Sequence, residues 1–315
     1  MRTTGVIPSR PKRRRLWFGS GIGRLNYRHK QRLFIYGGLL IPLIYFVVIR
    51  ILPILYSFNV SFREWGMLSP DKPFVGFDNY ATLLSDSLFL KSLVNTGIYV
   101  VVGVPAQLIA GLIVALLLQQ VVKLRGLFRT AYFIPYVTSV VAVSWVFRWL
   151  LMKNGIVNAL FIELGLGPQS FLYSRSQAIF WIIAVMVWQN IGFQMLIFLA
   201  GLQNIPKLYY EAAAIDGATG WQRFVHITIP LLNPVMLLSV VMASIGFLQS
   251  FTQVLNMTGG GPLDSTISVV LHIYNLAFKS FDMGLASAAT VILFAIIFML
   301  TLIQLKVLGS RFQQE

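Results

Sequence analysis

Residues 205–230 read IPKLYYEAAAIDGATGWQRFVHITIP and separate two long apolar stretches of the chain. An idle connector of this length would be polar and rich in turn residues. Pro206 instead suits the first turn of a helix, and residues 207–215 are mostly good helix formers. Asp216 and Gly217 then end the helix, because Gly217 is free to adopt a positive φ. The first half of the segment is therefore predicted to be a short helix followed by a tight turn.

The second half of the segment predicts another helix. Thr219 is a suitable N-cap for residues 221–226. The two helices offer large apolar side chains, and the alanine run 212–214 lets another backbone approach closely. The apolar positions are Leu208, Tyr209, Ala212, Ile215, Trp221 and Phe224. Such a helix-turn-helix either docks in a groove of a partner or lies in the membrane interface as an amphipathic connector.

The rest of the chain is strongly apolar. Of its 315 residues, 57% are hydrophobic and 11% are charged, whereas soluble proteins carry about 25% charged residues. Six stretches are long enough to cross a bilayer as helices, and none alternates with the period of a strand. They cover residues 33–58, 93–121, 131–151, 178–202, 229–254 and 285–308. The sequence therefore predicts an all-α, polytopic membrane protein with six transmembrane helices.

The basic residues predict the orientation of these spans. Ten of the 25 Lys and Arg residues lie in the tail 1–32, which is expected in the cytoplasm. With that tail inside, the inner segments hold seventeen basic residues and the outer segments hold six. Both termini, including the short tail 309–315, and the segment 205–228 are therefore predicted to be cytoplasmic. The basic charge is assigned to membrane flanks rather than to nucleic-acid binding.

Two arginines fall inside the predicted spans. Arg50 lies near the outer end of the first span and Arg148 near the outer end of the third. Such side chains either snorkel to the interface or line a water-filled cavity. The sequence leaves both readings open.

The segment 205–230 resembles the EAA loop of ABC-importer permeases. That loop has the pattern EAA, three residues, Gly, nine residues, then Ile-x-Leu-Pro. Here EAA at 211–213 is followed by Gly217 and, nine residues later, by ITIP at 227–230. The one departure is Ile229 for Leu, a volume-conserving change. The resemblance implies the type I ABC importer permease fold.

The resemblance also implies a role for the loop. In that family the loop forms coupling helices that sit in a cleft of the ATPase subunit, which favours docking over the interfacial connector. The residues onto which the resemblance carries this role are Glu211, Ala212, Ala213, Asp216 and Gly217.

Three further segments resemble the sugar branch of these permeases, the maltose and glycerol-phosphate type. Residues 74–80 (FVGFDNY) are similar to its F-x-G-x-x-N-Y segment, and residues 258–262 (TGGGP) to its T-x-G-G-P turn. Residues 129–135 (RTAYFIP) resemble the start of its third core helix. The resemblance implies ATP-driven uptake of a sugar or sugar-like solute, such as an oligosaccharide, a glycoside osmolyte or a glycerol-phosphate ester.

A set of partners in a bacterial inner membrane follows from the resemblance. A second homologous permease would complete a heterodimeric pathway through the membrane lipid, and two ATP-binding subunits would dock on the EAA loops. An extracytoplasmic solute-binding protein would deliver the substrate. ATP and Mg²⁺ would bind to the partner subunits, because this chain has no Gly-x-x-x-x-Gly-Lys-Ser/Thr segment. No cofactor, metal site or catalytic constellation is expected in this chain.

Polar side chains in the fourth and fifth predicted spans indicate where a sugar would bind. Sugar pockets need amides, hydroxyls and an aromatic surface, and polar side chains in spans are expected to face the bundle interior. The candidate substrate-binding residues are Asn190, Phe193, Gln194, Phe247, Ser250 and Gln253. By the EAA register, the resemblance carries sugar-contacting positions of the maltose-type permease onto Asn190, Phe193, Phe247 and Ser250. The alternative is that these residues make interhelical hydrogen bonds or packing contacts.

Two other classes of function are disfavoured. A secondary transporter would need buried ionisable residues for ion coupling, and no acid lies in the middle of a predicted span. An intramembrane enzyme would need a His, Asp or Ser constellation inside the spans, and none is evident. Neither class explains the EAA spacing.

Overall fold

The computed structural model describes residues 27–66, 71–120 and 123–309. These residues form helices and connections without a named strand, and isolated β-bridges join Arg63 to Phe74 and Gly66 to Asp282. Residues 1–26 and 310–315, which make up most of the two predicted tails, lie outside the described residues. The chain divides into two compact units, residues 1–56 and 57–315.

An apolar helical run begins the described chain. Helix α1 spans Tyr27–Phe46, a π-helical turn covers Val47–Ile51, and α2 covers Leu52–Val60. Pro53 has no N–H to donate to the preceding turn, and the π-helical turn ends two residues before it. The part Phe34–Val60 is long and apolar enough to cross a bilayer.

The second unit continues with a short helix, α3 (Asp78–Ser85), and a long one, α4 (Ser87–Gln120). Asp86 separates them, and its Oδ1 accepts a hydrogen bond from the N–H of Leu88 at 2.9 Å. This side chain therefore caps the start of α4. Helix α4 passes through Pro105 without a break.

The third predicted span, residues 131–151, is broken. Helix α5 (Arg125–Val137) and helix α6 (Val140–Leu150) meet at an angle of 91°. Pro135 cannot donate a backbone hydrogen bond to the preceding turn, and Thr138 has an extended conformation that ends α5. The sequence bounds miss this break, because a proline alone does not say whether a helix kinks or ends.

Helix α7 (Ile156–Glu163) and a 3₁₀ turn at Phe171–Tyr173 lead to α8 (Ala178–Asn204). Over half of the most apolar part of α8 is buried, as expected of a helix that is hydrophobic on all sides. Helices α4, α5 and α12 (Asn233–Leu248) all pack against α8. Helix α8 is therefore the centre of the second unit.

The segment after α8 is helical, as predicted. Helix α9 covers Lys207–Ile215 and α10 covers Gly220–Arg223. The second helix continues through a π-helical turn, Phe224–Thr228, into α11 (Ile229–Leu231). The predicted helix-turn-helix is confirmed, and its second helix leads directly towards the next span.

The fifth predicted span, residues 229–254, is also broken. The helical run Gly220–Leu231 and α12 are bent by 67°, and α13 (Thr252–Met257) follows a second interruption. Pro234 in the first turn of α12 cannot donate to the preceding turn, which places the bend at Leu232.

Leu232 is fully buried at this bend. It lies against Gly201 of α8, where an added Cβ would come within 2.9 Å of a Leu232 methyl group. The absence of a side chain at Gly201 therefore lets the bend pack closely on α8.

Helices α14 (Val269–Phe278) and α15 (Met283–Gly309) complete the described chain. Helix α14 is apolar but too short to cross a bilayer. Four helices of the described residues are long and apolar enough to cross alone, and the two bent pairs raise that number to six. The all-α, polytopic membrane fold is confirmed.

The backbone that follows the TGGGP turn (residues 258–262) is hydrogen-bonded to side chains of α4. Asn95 Nδ2 donates to the carbonyl of Ile267 at 3.0 Å, and Tyr99 Oη donates to the carbonyl of Thr266 at 3.0 Å. Both donors are buried, so the loop between α13 and α14 is fixed to α4.

Arg148 also contacts this region, at the end of α13. Its Nη1 donates to the carbonyl of Asn256 at 3.2 Å, and its guanidinium lies 4.9 Å from the centre of the Trp145 ring. Arg148 therefore stabilises the C-terminal end of α13, where the helix leaves its last carbonyls unpaired.

Candidate functional site

The loop between α8 and α12 has the turn that its sequence predicts. Gly217 has φ +75°, and the N–H of Ala218 donates to the carbonyl of Ala213 at 2.9 Å. This is the hydrogen bond of a Schellman motif at the end of α9. Thr219 and Gln222 form a capping box at the start of α10. The end of α9 and the start of α10 are thus both determined by hydrogen bonds within the loop.

The five predicted ATPase-coupling residues lie at the surface of this loop. Ala213 is half-buried, and the others are exposed: Glu211, Ala212, Asp216 and Gly217. Ala213, Asp216 and Gly217 line a shallow depression between the two loop helices. Beside them, the side chains of Ile215 and Trp221 are 88% and 72% exposed. Apolar side chains of this size at a surface indicate a docking face or a membrane contact.

Tyr210 connects the loop to the core. Its hydroxyl lies 2.9 Å from Thr228 Oγ1, so α9 is hydrogen-bonded to the helix that follows the turn. Its ring packs against an apolar cluster that contains Leu199 and Leu202 of α8 and Leu232 at the bend. The loop, the end of α8 and the bend therefore form one packed region.

All six predicted substrate-binding residues line one cavity of about 350 Å³. Helix α8 contributes Asn190, Phe193 and Gln194, and the region from α12 to α13 contributes Phe247, Ser250 and Gln253. The volume is in the range of small-molecule sites. The sequence pattern thus predicts a set of side chains that the fold brings together.

Amide side chains form two hydrogen-bonded pairs in this cavity. Gln107 of α4 donates to Gln194, and Gln253 donates to Gln189, each through Nε2 to Oε1 at 3.4 Å. Gln189 Nε2 also donates at 3.3 Å to the carbonyl of Thr138, which is at the break between α5 and α6. These bonds are longer than the usual 2.7–3.2 Å, so the amides are held loosely.

Two polar atoms of the cavity wall have no hydrogen-bond partner among the described residues. They are Gln194 Nε2 and Ser250 Oγ, both fully enclosed. A buried donor without a partner is costly unless a water or a ligand satisfies it. A water or a ligand hydroxyl that entered the wall beside them would satisfy both.

Aromatic rings supply the apolar part of the wall. Tyr136 of α5 stacks on Phe193 with the ring centres 4.8 Å apart and the planes 11° from parallel. Phe247 is almost fully buried, and its ring lies against Gly103 of α4. Phe193 is therefore the more accessible surface for a sugar ring, and Phe247 is mainly a packed wall.

The cavity wall is electrically neutral. Its described side chains include amides and hydroxyls but no Asp, Glu, Lys, Arg or His. A charged ligand would lose its hydration here without an opposite charge in return. Within the described ranges there is also no group of three His, Cys, Asp or Glu side chains that could hold a metal ion. The geometry suits an uncharged, hydroxyl-rich ligand.

Sequence reasoning missed several cavity residues. Gln107 on α4 and Tyr136 on α5 are among them. Gln107 carries the same signal as Gln194, a polar side chain inside an apolar span. Tyr136 carries no such signal, because its contact with Phe193 depends on how α5 packs against α8.

Comparison with known proteins identifies the family of the chain. A sequence model of the binding-protein-dependent transport system inner membrane components matches residues 81–314. The chain belongs to this family. Its members are transport permeases of the inner membrane rather than a family of catalysts.

Curated relatives of this permease cover most of its length. It is 35% identical over 266 residues to the probable ABC transporter permease protein YesP of Bacillus subtilis, covering 83% of this chain and 85% of the relative. It is 34% identical to the trehalose/maltose transport system permease protein MalF of Thermococcus litoralis, covering 93% and 98%. It is 40% identical over 251 residues to the lactose transport system permease protein LacF of Rhizobium radiobacter, covering 78% and 83%.

A solved structure shares the permease fold. The chain matches, with a TM-score of 0.80 and 23% identity, a crystal structure of a bacterial ABC transporter involved in the import of the acidic polysaccharide alginate. The match covers 91% of this chain and 99% of the other. At this identity the likeness concerns the fold alone.

Proposed function

We propose that this permease forms half of the translocation pathway of an ATP-driven importer of a neutral sugar. A second homologous permease would supply the other half, and a solute-binding protein would deliver the substrate. Two ATP-binding subunits would bind to the loops and hydrolyse ATP. The observation that carries the proposal is the neutral, amide-lined cavity on α8, the same helix that leads into the EAA loop.

The substrate class rests on the cavity wall and on the relatives. MalF and LacF are named for trehalose, maltose and lactose, which are neutral sugars. A wall without a charged side chain favours such a solute over a glycerol-phosphate ester. Gln194 and Asn190 would bind hydroxyls, and Phe193 would stack on an apolar ring face.

Coupling would pass through the loop. Glu211, Ala212, Ala213, Asp216 and Gly217 would contact the ATPase subunit, and Ile215 and Trp221 would fill its cleft. The hydrogen bond of Tyr210 to Thr228 supports this role, because it links α9 to the helical run that follows the turn. Their packing on Leu199 and Leu202 would carry that movement to α8.

The test is uptake by the assembled complex in vesicles with ATP inside. Labelled maltose, trehalose and lactose are compared with labelled glycerol phosphate in the wild type and in Gln194→Leu. We expect ATP-dependent uptake of a neutral sugar, reduced about tenfold by Gln194→Leu, because one hydrogen bond to a ligand is lost.

The matched control is Gln304→Leu. Gln304 Nε2 donates to Ser244 Oγ at 2.8 Å, and its side chain does not line the cavity. Equal uptake by Gln194→Leu and Gln304→Leu would show that Gln194 does not bind the substrate. Uptake that does not require ATP would contradict the importer itself.

A further inference from the structure

Two arginines stand on successive turns at the start of α5. With the Gln203 amide oriented by its hydrogen bonds, its Oε1 accepts from Arg125 Nη2 at 3.2 Å and from Arg129 Nη2 at 3.1 Å. Gln203 lies in the last turn of α8. The two guanidinium groups therefore meet at one neutral oxygen, just before the EAA loop.

The charge of this cluster is not balanced by the described residues. No carboxylate among them lies within 4.0 Å of either guanidinium. The Nε atoms of Arg125 and Arg129 are buried, and neither has a hydrogen-bond partner. Two positive charges are therefore held close together. An anion with several oxygens would offset both.

The surroundings of the arginines indicate where that anion comes from. Leu124, Leu127 and Phe128, on the same turns, are 67%, 63% and 43% exposed. No side chain caps the first turn of α5, and an uncapped helix start favours an adjacent anion. Cationic side chains beside exposed apolar ones, at the predicted cytoplasmic face, match the boundary where lipid phosphates lie.

We infer that Arg125 and Arg129, held in place by Gln203, bind the phosphate group of an anionic phospholipid of the inner leaflet. The planar guanidinium presents paired donors that match phosphate oxygens. The acyl chains would lie along Leu127 and Phe128. The site lies outside the cavity that lines the proposed sugar pathway, so it stands or falls independently of the substrate.

The experiment measures lipid binding to the assembled complex. Complexes in zwitterionic phosphatidylcholine nanodiscs are titrated with short-chain phosphatidylglycerol, and bound lipid is counted by native mass spectrometry. A second arm replaces the lipid with inorganic phosphate, which separates a lipid headgroup from a free anion. We expect phosphatidylglycerol to bind, and Arg125→Gln with Arg129→Gln to weaken it at least about tenfold.

The matched control removes the same charge from the same predicted face. It combines Lys123→Gln with Lys306→Gln, two exposed lysines, and we expect it to bind lipid as the wild type does. Arg125→Lys with Arg129→Lys keeps the charge and should bind with intermediate affinity, because the paired donors are lost. This second variant keeps the test valid if the glutamine variant does not fold.

Three results would overturn the inference. Equal weakening by the arginine and lysine variants would indicate a non-specific attraction of charge. Binding of inorganic phosphate as tight as that of the lipid would assign the site to a soluble anion. Loss of ATPase subunits from the arginine variant, with lipid binding unchanged, would indicate that a carboxylate of a partner pairs with the arginines.

Discussion

Glycine residues determine how closely the cavity wall approaches α4. At Gly103 an added Cβ would lie 2.4 Å from the Phe247 ring, and at Gly111 it would lie 2.5 Å from the Gln194 side chain. Both values are below any real contact distance. Phe247 and Gln194 can therefore occupy these positions only because Gly103 and Gly111 have no side chain.

The substitution Gly103→Ala is expected to destabilise the protein. Phe247 would have to move within a packed core, which costs about 1–3 kcal/mol. The control is Gly97→Ala on the same helix, because nothing lies within 4 Å of a Cβ there. Thermal unfolding in detergent checks this, and Gly103→Ala should have the lower Tm. Equal Tm values would show that Phe247 moves aside without a cost in stability.

At the scale of elements, the turn after α9 depends on a left-handed residue. Gly217→Ala keeps the space, since nothing lies within 4 Å of a Cβ, but φ +75° strains any other residue by about 1–2 kcal/mol. We expect weaker co-purification of the ATP-binding subunits. The control is Gly220→Ala, which is also open but has no positive φ. Normal co-purification with Gly217→Ala would argue against docking through this turn.

Helix α14 carries a titratable contact outside the spans. His272 is 3% exposed, and its Nε2 lies 3.7 Å from Asp86 Oδ2 at the start of α4. Burial lowers the pKa of His272 below its usual 6.5, and the Asp86 carboxylate opposes this shift.

The lowered pKa predicts a dependence of stability on pH. The neutral imidazole stabilises the fold above pH 6.5, and this contribution is lost as the pH falls through the pKa of the folded state. We expect the Tm of the wild type to fall more steeply below pH 6.5 than that of His272→Gln. Parallel Tm curves for the two proteins would contradict the shift.

Helices and turns could be predicted from the sequence where residues close together in the chain determine them. The bounds of α9 and the turn at Gly217 follow from propensity and φ, which act within a few residues. The breaks near Thr138 and Leu232 could not be predicted. A proline is compatible with a straight span, as Pro105 shows in α4, and tertiary packing decides the outcome.

The residues of the candidate site, like the helices, could be predicted only in part. Gln194 and Asn190 stand out because polar side chains are rare in apolar spans. The contribution of Tyr136 could not be predicted, since it depends on how α5 packs against α8. Which amides pair, such as Gln107 with Gln194, depends on the contact of α4 with α8.

For the whole molecule, the orientation in the membrane is open to a direct test. The chain contains no cysteine, so a single introduced thiol reports one position. Ile215→Cys, in the exposed EAA loop, should react with a membrane-impermeant maleimide only in inside-out vesicles. Phe77→Cys, exposed between α2 and α3, should react only in right-side-out vesicles. The reverse pattern would invert the orientation that the basic residues predict.

The bend at Leu232 stands at the end of a long helical arm. The helical run Gly220–Leu231 is about 18 Å long at 1.5 Å per residue. A rotation of about 10° at the bend would therefore displace the far end of the run, in the EAA loop, by about 3 Å. Because Leu232 packs on Gly201, such a rotation would pivot against α8 rather than pull α12 along its axis. A displacement at one end of the arm would thus reach the cavity side of the bend as a change of angle.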